Sequence, residues 1–198
     1  MSLLRFAKAP DSLVLPKAAD WTIPFLTSES PALEAMTDFR CAPAISVPEN
    51  TQIDDALNRM IHSGVRLLFV VDSSFKLLGA VSSHDIQGER PMLYLQSQDC
   101  NREHCSRADV TVRHVMEPLT AWHTLTISAL EHATVGDLVS RFRDQSRRHI
   151  IVIETPGNAT SFVRGVISAS FLERALGSPV ETSHAAQNFA EMGLVLAR

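Results

Sequence analysis

Few side chains in this 198-residue sequence stand at spacings that could do chemistry. Ser82-Ser83-His84-Asp85 is a Ser-x-x-Asp element, in which a hydroxyl and a two-oxygen acceptor lie three residues apart. On its own that spacing is a capping box, with Ser82 at the N-cap and Asp85 at N3. Arg147-Arg148-His149 places three donors side by side, and its plain role is to complement a helix C-terminus. Cys100, His104 and Cys105, with His114 further on, are soft ligand types. They lack a Cys-x-x-Cys pair, and adjacent His and Cys side chains chelate one ion poorly, so no metal site is expected. The sequence holds no Walker-type phosphate loop, no Gly-x-Ser-x-Gly elbow and no His-Glu-x-x-His. No catalytic residue is marked, and the expectation is a protein that is not an enzyme.

The elements that must position these groups are legible from periodicity. Ile53, Ala56, Leu57, Met60 and Ile61 form one apolar stripe at helical spacing. Thr51 is the expected N-cap, Asp54 and Asp55 suit the dipole, and Gly64 sits where the helix would stop. Leu67 to Val71 is an apolar run too short for a helix, bounded by Asp72-Ser73-Ser74, and is expected as a strand buried on both faces. Leu77 to Val81 follows a short turn, as in a hairpin. The Ser-x-x-Asp element then opens another helix.

The same order recurs downstream. Val135, Leu138, Val139 and Phe142 repeat the stripe, and Ile150 to Ile153 repeat the strand. Gly165-Val166-Ile167-Ser168 repeat the second strand and its exit. Val135 minus Ile53 is 82, and Val152 minus Val70 is again 82. Gly165 minus Gly79 is 86, the second turn being four residues longer, and Met116 minus Met36 is 80. Offsets this steady, with length changes confined to turns, mark an internal duplication. The expected unit is α/β (α+β), a three-stranded sheet with two helices, preceded by a short strand near residues 44–47 or 122–127. One such unit leaves an apolar face uncovered, whereas two can pack sheet to sheet about a pseudo-twofold axis. The organisation predicted is an N-terminal extension (1–30), repeat 1 (31–86), a linker (87–110), repeat 2 (111–176) and a tail (177–198). Met92, Leu93, Tyr94 and Leu95 are expected to anchor a partial helix in the linker, and Ala186, Phe189 and Met192 give the tail a weak stripe.

Composition narrows the class. The chain is 45% hydrophobic and 20% charged, with no apolar run of eighteen residues, which excludes membrane-spanning helices and a disordered acidic chain. A net charge of −4 disfavours a nonspecific grip on nucleic acid. Single-strand binding through Arg141, Arg143, Arg147 and Arg148 would need a steep salt dependence. Three cysteines and an N-terminus without an apolar core point to a soluble, cytoplasmic protein rather than a secreted disulfide framework.

The duplicated order carries a family resemblance. Repeat 1 resembles a CBS domain at Pro48, Asp55-Ala56, Met60, Gly64-Val65, Val70-Val71-Asp72, Gly79 and Ser82-x-x-Asp85. Repeat 2 opens with VTVRHVMEP, similar to the Val-x-x-Val-Met segment that introduces such domains. The pair resembles a Bateman module, and the likeness covers roughly residues 31–176. It implies a regulatory module, homodimeric through its outer helices, that binds an adenosine-containing ligand (AMP, ADP, ATP or S-adenosylmethionine). Ligand occupancy would be passed to a downstream protein that the sequence does not identify. The resemblance also implies two clefts. One combines Ala80, Ser82 and Asp85 with Thr126, Ile127, Arg147, Arg148 and His149, the Asp holding ribose and the basic run meeting phosphate. The other combines Ser168 and Phe171 with Ala44, Ile45, Val65 and Arg66. There Phe171 replaces the ribose acceptor, so this cleft is expected to be degenerate, leaving one competent site per chain. The other reading open at this point is a ligand-free dimerisation and interaction scaffold, to which Phe171 would contribute as a hydrophobic plug or contact.

Overall fold

The computed structural model of the chain describes residues 25–103, 105–144, 147–157 and 160–182. The first apolar stripe forms α1 (Ile53–Ser63), which buries Ile53, Ala56 and Met60 and ends at Gly64 with φ of 66°. A left-handed terminus of this kind is one that glycine accepts without strain. Its start differs from expectation. Gln52, not Thr51, is the cap residue, and no side chain caps it. The Ile53 amide donates instead to the Val110 carbonyl, and the Thr51 carbonyl accepts from Val112, so a backbone bridge does the work expected of a hydroxyl.

Two four-stranded sheets make up the fold. The first has the order β2 (Ser46–Pro48), β3 (Leu67–Val71), β4 (Leu77–Ser82) and β5 (Glu117–Pro118). The second has the order β1 (Thr37–Asp38), β8 (Phe162–Ser168), β7 (His149–Glu154) and β6 (Thr124–Thr126). Each thus contains the three expected strands plus a short fourth contributed from ahead of the other repeat. Thr37 and Asp38 pair with Val166 and Gly165, while Glu117 and Pro118 pair with Ala80 and Gly79. The two glycines permit this. A Cβ on Gly165 would stand 2.5 Å from the Thr37 carbonyl oxygen, and one on Gly79 would strike the Glu117 carbonyl. Asp38 is further tied to repeat 2 by an ion pair to Arg164, which is 3% exposed and also meets Glu154 at 2.7 Å.

Helices cover the outer faces. After β4 come α2 (Ser83–Gln87), α3 (Arg90–Leu95) and α4 (Gln98–Glu103), then α5 (Val112–Val115). In the second repeat α6 (Ile127–Glu131) and α7 (Val135–Arg143) precede β7, and α8 (Ala169–Leu176) follows β8. The expected linker helix is α3. Alternation along β3 sends Leu68 and Val70 toward the helices and Phe69 toward the other sheet, where it meets Ala80 and Ile151. Phe69 also packs against the rings of Phe39 and Trp122.

The exchange extends to the cores. Val110, Val112 and Val115 are buried in the core of repeat 1, and Leu26, Ala32 and Ala35 in that of repeat 2. Leu26 lies ahead of repeat 1, yet its amide donates to the Ala175 carbonyl at 3.0 Å. Residues 1–24 and the tail stripe at Ala186, Phe189 and Met192 lie outside the described residues. Among the described residues no helix is long and apolar enough to cross a membrane.

Candidate functional site between the repeats

Where the sheets meet, each repeat offers the start of one long strand and the end of the next. Leu67 pairs with Ser82, and His149 with Ser168, so the two junctions occupy equivalent places. Each junction lies near the Ser-x-x-x segment of the other repeat, around a cavity at the Phe171 cleft and around the Arg147–Glu117 ion pair at the Asp85 cleft.

The Phe171 cleft contains a cavity of about 690 Å³. Its walls are mixed, the apolar part including Phe39, Ile45, Val65, Leu67, Phe69 and Phe171. Thr37, Ser168 and Ser170 contribute hydroxyls, and Arg66 and Arg174 contribute guanidinium groups. Both arginines are exposed, and no carboxylate holds either one among the described residues. Glu173 also lines the cavity and binds Arg148 at 2.8 Å. Of the residues expected in this cleft, Ile45, Val65, Arg66, Ser168 and Phe171 line the cavity. Ala44 is exposed beside them. Ser168 also accepts from the Phe171 amide at 3.1 Å, capping α8.

His149 lines this cavity too, although the sequence assigns it to the other cleft. As the first residue of β7 it lies between the two clefts. Burial, with His84, Arg148 and Arg66 nearby, lowers its pKa from 6.5 to about 4, so the ring is neutral at pH 7.

The Asp85 cleft is organised differently. Asp85 Oδ2 accepts from the Ser82 amide and the Ser82 hydroxyl, both at 2.7 Å, and Ser82 Oγ accepts from the Asp85 amide at 3.3 Å. The capping box expected from the spacing is therefore formed. Asp85 Oδ1 is ion-paired to Arg90 at 3.0 Å, and Arg90 also donates to the Val115 carbonyl at 2.7 Å. Arg147 is ion-paired to Glu117 and lies 3.4 Å from Nδ1 of His123. Glu117 is half-buried, and desolvation raises its pKa; nearby Asp85 adds to this, while Arg147 and Arg90 oppose it. Ala80 is 5% exposed and packs between the sheets.

Thr126 and Ile127 fall elsewhere. Thr126 caps α6, accepting from the Ala129 amide at 3.1 Å, and Ile127 packs on the core of repeat 2. Register explains the difference. Ser46 pairs with Phe69 and Thr124 with Ile151, an offset of 78 at the short strand rather than 82. His123, not Ile127, thus stands where Ile45 stands in the other repeat. Sequence reasoning did not single out Glu117, Arg90, Arg174, Thr37 or His123. The Met36–Met116 offset of 80 was the available signal for Thr37 and Glu117, which follow those methionines.

Among the described residues no group of three or more His, Cys, Asp or Glu could hold a metal ion. Cys105 donates through Sγ to the Cys100 carbonyl at 3.3 Å, and the His114 ring stacks on Tyr94 with centroids 3.9 Å apart. His104 lies outside the described residues.

Two like α+β repeats face each other sheet to sheet, with their strand junctions at the seam between them. Residues 32–90 match the CBS domain family. An uncharacterized protein of Methanopyrus kandleri is 36% identical over 56 residues, 28% of this chain. The match spans 29% of that relative's length. An uncharacterized conserved protein of Pyrococcus horikoshii has a similar fold, with a TM-score of 0.52 and 17% identity, over 80% of this chain and 100% of that one. Protein MJ1225 of Methanocaldococcus jannaschii, presented as a candidate archaeal homolog of g-AMPK, matches with a TM-score of 0.50 and 20% identity, over 73% of this chain and 49% of that one. These likenesses establish the fold.

Proposed function

We propose that the chain is a non-catalytic regulatory module that binds an adenosine-containing ligand, an adenine nucleotide or S-adenosylmethionine, between its two repeats. The observation that carries this reading is the cavity in the Phe171 cleft, with its apolar wall and two guanidinium groups that no carboxylate pairs among the described residues. Its size and lining suit a ligand with a flat apolar body and an anionic end. The base would lie among Phe39, Ile45 and Phe69, and the phosphates would meet Arg66 and Arg174. Glu173 and the hydroxyls of Ser168 and Ser170 supply the acceptors for ribose that Phe171 does not. The Asp85 cleft is the second seat, favoured by a carboxylate that stands near Arg147 and Arg90.

The ligand would act by population shift, biasing the packing of the repeats or of two copies by its differential affinity. A homodimer belongs to the same proposal. Ile61 on α1 and Met92 and Leu93 on α3 are exposed apolar side chains on outer helices. Calorimetric titration with ATP and with S-adenosylmethionine tests the reading. The expected result is binding that Arg66→Glu weakens for ATP. Loss on Asp85→Ala instead would move the nucleotide to the other cleft. No heat with any adenosine ligand would leave the dimerisation scaffold as the function.

A further inference from the structure

The two clefts differ in charge more than in completeness. Strand register makes Thr37 and Glu117 equivalent, since Thr37 pairs with Val166 and Glu117 with Ala80. The neighbouring substitutions follow from the same alignment. Val65 stands where Arg147 does, Phe171 where Asp85 does, and Arg174 where Gly88 does. The Phe171 cleft therefore exposes Arg66 and Arg174, neither in an ion pair among the described residues, while Glu173 beside them holds Arg148. The Asp85 cleft instead holds two carboxylates and two guanidinium groups in two ion pairs, Asp85 with Arg90 and Glu117 with Arg147.

In that second arrangement the Glu117 carboxylate sits on Arg147, the place a phosphate would take. A nucleotide phosphate entering there would have to displace a half-buried carboxylate of its own sign. A zwitterion would not. The carboxylate of an α-amino acid can share Arg147 while its ammonium group pairs with Glu117, so the ligand dipole matches the resident one. Asp85 stays suited to a ribose hydroxyl. Of its roughly four lone-pair positions, three are used, by the Ser82 amide, the Ser82 hydroxyl and Arg90.

We infer that Glu117 and Arg147 make the Asp85 cleft selective for an adenosyl ligand with a zwitterionic, phosphate-free end, while the Phe171 cavity takes nucleotide phosphates. This rests on the proposal that adenosyl ligands bind between the repeats, and it assigns different ligand classes to the two clefts. Glu117 is the specificity-determining residue.

The test is calorimetric titration of the full chain with ATP and with S-adenosylmethionine separately. The wild type is expected to bind one ATP, lost on Arg66→Glu, and one S-adenosylmethionine, lost on Asp85→Ala. Glu117→Gln removes the competing charge at constant shape, and Glu117→Thr copies the residue of the other cleft. Both are expected to weaken S-adenosylmethionine by about tenfold or more, the worth of one charge-assisted interaction. Both should also admit a second ATP per chain. The inference is overturned if either variant binds and folds as the wild type does, with one ATP and unchanged S-adenosylmethionine affinity. It is also overturned if the two ligands compete for one cleft in the wild type. Absence of binding by either ligand to the wild type would refute the proposed function itself, and this inference with it.

Discussion

Gly165→Ala probes the reciprocal strand contact at its tightest point. The added Cβ would lie 2.5 Å from the Thr37 carbonyl oxygen, 2.8 Å from Met36 Sδ and 2.9 Å from Met36 Cγ. Ordinary contact begins at 3.4 Å, so the carbonyl must retreat by about 0.9 Å. The methionine can swing aside. The carbonyl can do so only by loosening β1, whose two residues pair with Val166 and Gly165. Overpacking against a rigid neighbour costs about 1–3 kcal/mol, and a weakened strand hydrogen bond adds about 1 kcal/mol. The expected loss is therefore about 2–4 kcal/mol, seen as a fall in melting temperature of roughly 4–16 °C. Urea denaturation followed by tryptophan fluorescence measures it, with the midpoint lowered and the slope unchanged. Gly177→Ala is the control, because φ there is 66° and no atom lies within 4 Å of the added Cβ. It should cost about 1 kcal/mol for backbone conformation alone. If Gly165→Ala costs no more than Gly177→Ala, the close approach of β1 to β8 is not what requires glycine.

Two further outcomes follow from the same packing. Leu26→Ala should destabilise the protein by about 2–5 kcal/mol in the same assay, because Leu26 is 2% exposed in the core of repeat 2; a loss under about 1 kcal/mol would contradict that burial. The His149 ring, with its pKa lowered to about 4, takes a proton in the unfolded chain before it does so in the folded one. Stability should thus fall as pH drops from 6.5 through 4, by about 3 kcal/mol at most, and His149→Asn should flatten that slope. Denaturation midpoints at pH 7 and pH 4.5 for the two proteins would show it, and equal pH dependence would refute the assignment.

The duplication was legible because helix stripes and buried strands keep their period and spacing, as the shared offset of 82 at Val135 and Val152 shows. Gly64 was legible as a helix end because its backbone requirement is local. The N-cap was not, since Thr51 and Gln52 are bridged by the distant segment 110–112, and a tertiary contact replaced a local one. The clefts were half legible. Arg66, Val65 and Phe171 line the cavity, but Asp85 shares its carboxylate with Arg90, five residues on, in a contact no motif encodes. Thr126 falls elsewhere because the segment from β6 to α7 is four residues longer than that from β2 to α1. Val135 lies eleven positions after Thr124, and Ile53 seven after Ser46. A single fixed offset does not survive such an insertion.

The crossed placement of β1 and β5 bears on what half of this molecule could be. A chain cut in the linker would yield two pieces, each carrying the strand that completes the other's sheet and lacking the one that completes its own. Each piece would present an open edge and, beside it, a loose strand shaped for a nearly identical edge. Two copies of one piece can satisfy both needs at once, by the same geometry that joins the unlike halves here. The intact chain is thus a swapped dimer written as one polypeptide, and covalent linkage is what allowed Asp85 and Phe171 to diverge across its axis.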